Sequence, residues 1–76
     1  MAWAVTAGVP DLLLWHAGRS FAIELKSESG RTSEAQVAML TRLKDAGVHA
    51  AVGTGVDHAI AILEDWGLLR RRRRRA

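Results

Sequence analysis

Three charged residues stand out by type and spacing: Asp11, directly after Pro10, and Glu24 and Lys26, which flank Leu25. Two carboxylates suit a hard divalent cation, and a neighbouring ammonium can offset negative charge developing on a substrate or hold a nucleophilic water. That chemistry needs the chain to bring together residues thirteen positions apart.

A hairpin would do so. Asp11–His16 and Ser20–Lys26 are short apolar runs, separated by Ala17-Gly18-Arg19. Gly18 supplies the positive φ of a tight turn, and strands joined this closely are antiparallel neighbours. With Ala17-Gly18 as the loop, paired residue numbers sum to 35 and Asp11 faces Glu24. With Gly18-Arg19 the sum is 37 and Asp11 faces Lys26. Either register places Asp11, Leu13, Trp15, Ala22, Glu24 and Lys26 on one face, and Leu12, Leu14, Phe21, Ile23 and Leu25 on the other. The second set is an apolar core face. The first sets two carboxylates roughly 5 Å apart by cross-strand geometry, an unfavourable pairing unless a divalent cation neutralises it. The same pattern also fits an ordinary solvent-facing strand with Asp11 in a turn.

The elements that position these groups follow from the rest of the chain. Pro10 biases Val9 towards an extended backbone and suits a strand start, and residues 2–7 are weakly strand-like. Residues 27–32 are polar and turn-rich. Ser33 with Gln36 forms a capping box, predicting a helix from Glu34 to Ala46 with a Val37, Leu40, Leu43 stripe and a stop at Gly47. Val48–Thr54 is a candidate strand, parallel to Ser20–Lys26 by the crossover rule. Asp57 is the predicted cap of a second helix reaching Trp66, and Leu68-Leu69 folds back on the core. The fold class is α/β, a small mixed sheet with a central antiparallel hairpin followed by strand, helix, strand and helix. Residues 1–69 form one domain and residues 70–76 a basic tail.

Seventy-six residues allow one small core, burying about 60–65% of the unfolded surface. The chain has no cysteine, hence no disulfide framework or thiolate metal site. It has no run approaching the ~20 apolar residues of a membrane span and no signal-peptide pattern, so a cytoplasmic protein is expected. Eleven Lys and Arg oppose eight Asp and Glu; six of the eleven are Arg70 to Arg75, leaving a body with five against eight, or −3.

Gly8-Val9-Pro10-Asp11, the hairpin, Glu24-Leu25-Lys26 and then Gly30-Arg31-Thr32-Ser33-Glu34-Ala35-Gln36 together resemble the VRR-NUC family of the PD-(D/E)XK nuclease superfamily. The resemblance runs from about Ala7 to Leu69 and includes Ala46-Gly47 and the closing Asp65-Trp66-Gly67-Leu68. It implies a restriction-endonuclease-like core that hydrolyses DNA phosphodiesters. It implies magnesium or manganese on Asp11, Glu24 and the Leu25 carbonyl, Lys26 acting on the attacking water and the phosphorane-like transition state, and Gln36 supporting the site. It further implies a homodimer acting on branched DNA, such as junctions, in repair, recombination or phage replication. The family normally carries an N-terminal helix with an acidic residue and a first strand before Gly-x-Pro-Asp. Here seven residues, none acidic, precede Gly8, so one metal ligand and part of the scaffold are expected to be missing or supplied by a partner. The alternative is a non-catalytic or partner-dependent nucleic-acid-binding module.

Arg31 and Arg70, Arg71, Arg72, Arg73, Arg74 and Arg75 are candidate phosphate contacts, giving salt-dependent affinity without base choice; the tail equally fits a solubility role. His16, His49 and His58 lack metal-ligand spacing and are expected to be structural. Trp3, Trp15 and Trp66 are expected in the core rather than stacked on bases.

Overall fold

In the structure, a computed structural model describing residues 8–70, the order is β1 (Leu12–His16), β2 (Arg19–Lys26), α1 (Glu34–Asp45), β3 (His49–Thr54) and α2 (Val56–Asp65). The expected mixed sheet is present, with β2 central, antiparallel to β1 and parallel to β3. Residues 2–7, read as weakly strand-like, lie outside the described residues.

The β1–β2 register pairs Leu12 with Ile23 and His16 with Arg19, which selects the two-residue Ala17-Gly18 loop. Both loop residues have positive φ, 51° and 75°, the backbone of a type I′ turn. Asp11 stands in a bend just before β1, rather than inside the strand as its run implied.

Both faces of β2 are covered. On one, Ala22 packs with Leu40 of α1 and Ala50 of β3, joined by the half-buried Leu43, Val48 and Val52. On the other, Phe21 contacts His49 and Trp66, and Gly53 lets α2 approach so closely that a Cβ there would lie 3.0 Å from that of Ala59. The Ala22 and Glu24 face is therefore also a core face, not an open one.

Helix α1 begins where the capping box places it: Gln36 N–H donates to Ser33 Oγ at 3.1 Å and Ser33 N–H donates to Gln36 Oε1 at 2.9 Å. The expected apolar stripe needs one correction. Leu40 is buried and Leu43 half-buried, but Val37 is 52% exposed. The inward position of the first turn is occupied by Gln36, four residues before Leu40, and that turns Val37 outward. Helix α2 also departs from expectation: its N-cap is Gly55, not Asp57, which lies in the first turn. Trp66 packs on Phe21, but Trp15, expected in the core, is 73% exposed on edge strand β1.

Candidate active site

The carboxylates meet at the junction of the Pro10 turn, β2 and the first turn of α1. Asp11 Oδ2 accepts the backbone N–H of Leu25 at 2.8 Å, so the turn is pinned to β2 next to Glu24. Gly8 makes this docking possible. It has φ +85°, and a Cβ there would lie 2.5 Å from the Ala35 carbonyl oxygen and 2.9 Å from the Gln36 nitrogen. The turn that carries Asp11 thus rests directly on the backbone of α1.

Glu24 is 3% exposed, the one buried charged side chain among the described residues. This excludes the solvent-facing reading of that position. Its Oε1 accepts Gln36 Nε2–H at 2.6 Å and lies 3.7 Å from Lys26 Nζ. Its Oε2 is buried with no hydrogen-bond partner. Burial pushes the Glu24 carboxyl above its ordinary value of 4.5; the Asp11 charge, and the hydrogen bond a protonated Glu24 makes with Asp11, push the same way, while Lys26 pulls it down. A carboxylate left with an orphan oxygen beside a second carboxylate is short of positive charge.

A hard divalent cation fits that deficit. Asp11 and Glu24 supply anionic oxygens of the type such ions prefer, and the Leu25 backbone lies between Glu24 and Lys26. Among the described residues no group of three or more His, Cys, Asp or Glu converges, so side chains alone offer two ligands here.

Gln36 was legible both as a capping residue and as a site residue, and it is both. Arg31 is exposed in the loop before α1 and Arg70 is exposed after α2; Arg71 to Arg75 lie outside the described residues. Chain direction separates Arg70 from the carboxylates. Trp66, at the end of α2, touches Phe21 near the start of β2, whereas Glu24 and Lys26 are near its end. The histidines are employed structurally: His49 stacks on Phe21, and His58 Nδ1 accepts the Thr54 N–H at 2.9 Å. The sequence offered no sign that Ser33 contacts the site through Gln36 beyond the capping-box spacing itself.

The VRR-NUC domain family model matches residues 4–57. Among solved structures, a VRR-NUC domain protein superposes with a TM-score of 0.76 at 30% sequence identity. The match covers 82% of this chain and 54% of that one, so this chain spans about half the length of its structural neighbour. No curated protein gives a significant match.

Proposed function

Because this chain belongs to the VRR-NUC domain family of nuclease-type hydrolases, we propose that it is a divalent-metal-dependent endonuclease that hydrolyses DNA phosphodiesters. The observation that carries this reading is the buried, unpartnered Glu24 Oε2 beside Asp11. Asp11, Glu24 and the Leu25 carbonyl would hold magnesium or manganese. When bound, such an ion polarises the phosphate and makes a bound water more acidic.

The chain's own groups prepare the reaction. The Leu25 N–H fixes Asp11, and the Gln36 amide fixes Glu24, so neither carboxylate has to reorganise. The Lys26 ammonium stands where it can hold the attacking water and offset charge on a phosphorane-like transition state. Water oxygen bonds to phosphorus as the bond to one ester oxygen breaks, and the leaving oxygen takes up a proton. Arg31 and the arginines of 70–75 would contact phosphates without reading bases. Branched DNA is the proposed substrate, and a homodimer the proposed acting form.

Purified protein with magnesium or manganese is expected to nick or cut duplex or four-way-junction DNA. Asp11→Ala or Glu24→Ala should lower the rate at least about 100-fold, as loss of a metal ligand or its support does. Lys26→Ala should lower it about 100- to 1,000-fold, the range for removing one preorganised electrostatic group. Cleavage undiminished in both carboxylate variants would sink the site assignment. Salt-sensitive DNA affinity that survives removal of residues 70–76 would take the tail out of this reading.

A further inference from the structure

We propose that Ser33 is a positioning residue of this site, acting through Gln36: the N-cap of α1 dictates which way the Gln36 amide points, and so keeps an N–H donor on Glu24. This rests on the reading of Asp11 and Glu24 as the working carboxylates.

The argument is one of donors and acceptors. A glutamine amide is nearly symmetric in shape, so its surroundings decide which end carries the oxygen. Here both neighbours are single-minded. The Ser33 backbone N–H, a donor only, faces Oε1 at 2.9 Å. The Glu24 carboxylate, an acceptor when ionised, faces Nε2 at 2.6 Å. Flipping the amide would set donor against donor at Ser33 and oxygen against carboxylate at Glu24. Ser33 Oγ closes the ring by accepting the Gln36 backbone N–H at 3.1 Å. A helix start is thus wired to a β2 carboxylate through one side chain.

The residue type at position 36 sharpens the point. A capping box accepts Glu or Gln equally well at this position. Glutamate would satisfy Ser33 but present a third carboxylate to Glu24. Glutamine alone serves both neighbours. With Oε1 of Glu24 occupied by Gln36 and approached by Lys26, the carboxylate has its orientation fixed and Oε2 is the oxygen left over.

The chain is short enough for chemical synthesis, which permits a clean test. Replacing Ser33 by its α-hydroxy acid analogue keeps the hydroxymethyl group and converts the N–H to an ester oxygen. Ser33→Pro also removes the N–H, and the Ser33 φ of −73° matches proline. Ser33→Ala keeps the N–H and removes only the cap oxygen. Two readouts are needed. The first is the Gln36 side-chain NH2 resonance pair in the metal-free protein. The second is manganese affinity by calorimetry.

The ester and Ser33→Pro should each shift the Gln36 amide resonances and speed their exchange with water, whereas Ser33→Ala should lower thermal stability and leave the resonance pattern in place. Both N–H deletions should weaken manganese binding about 10- to 100-fold, the usual range for a residue behind a metal ligand. In a Gln36→Met background they should weaken it no further. Unchanged Gln36 resonances in the ester protein, or effects of Ser33 and Gln36 changes that multiply, would overturn the proposal. Gln36 resonances that respond in a wild-type protein binding no manganese would uphold the wiring and overturn the metal reading instead.

Discussion

Glu24 is a residue the fold holds at a cost. Its folded-state pKa is raised, so the folded protein holds that proton more tightly than the unfolded chain does. The stability contributed by the neutral form is complete below the ordinary value of 4.5 and is lost as pH rises through the folded value. At neutral pH the buried charge therefore works against folding. Glu24→Gln keeps the shape and an oxygen for Gln36 while removing the charge. It should raise the melting temperature at pH 7 by about 4–8 °C, equivalent to ~1 kcal/mol for a domain of this size, with the gain shrinking towards pH 4. Thermal melts across pH check this; a variant less stable than wild type at pH 7 refutes it. Added manganese should stabilise wild type and leave Glu24→Gln unmoved. The period of two made Asp11, Glu24 and Lys26 legible as one face. The burial of Glu24 was not legible, because it depends on α1 crossing that face, and the helix stripe alone pointed Val37 inward where Gln36 stands.

Among the elements, the most constrained joint is the contact of the Gly8 turn with α1. Gly8→Ala meets two penalties. The left-handed backbone costs about 1–2 kcal/mol for any residue with a Cβ, and the Cβ collides with the Ala35 carbonyl. Gly18 is the natural control, since its φ is +75° but a Cβ there meets nothing within 4 Å. Gly8→Ala should therefore destabilise the protein by about 2 kcal/mol or more, against about 1 kcal/mol for Gly18→Ala. Only Gly8→Ala should also weaken metal binding, because the displaced turn carries Asp11 and the displaced helix carries Gln36. Denaturant melts and calorimetry on both variants decide it; equal effects would remove the joint's special role. Helix starts and stops were legible where side chains announce them, as at Ser33 and Gly47. The start of α2 was misplaced because Gly55 caps it with no side-chain hydrogen bond, while Asp57 two residues later carries the conventional signal.

At the scale of the whole molecule, edge strand β1 is the conspicuous surface. Helix α1 lies over β2 and β3, leaving Leu13 at 45% and Trp15 at 73% exposure. On the opposite face, an apolar groove of about 510 Å³ opens between Leu12, Leu25 and the α2 residues Val56, Ala59 and Ile60. Unpaired backbone and exposed apolar side chains on one strand are what a second strand covers. We propose that two copies pair along β1. Sedimentation at tens of micromolar should show a dimer that Trp15→Lys converts to monomer, with helix content unchanged; a monomeric wild type refutes the pairing. Three tryptophans in a short chain argued for core use, and composition cannot say which of them an edge strand leaves outside.

Every side chain assigned to chemistry here, and the serine behind it, falls between positions 11 and 36. Strand β3 and helix α2 contribute packing: Ala50 against Ala22, Gly53 against Ala59, Trp66 against Phe21. The two halves of the chain therefore answer to different selection. Across relatives, the first half should be frozen letter by letter at Gly8, Asp11, Glu24, Lys26, Ser33 and Gln36. The second half should drift freely among small and apolar residues, so that descendants of one ancestor come to look alike only at the front.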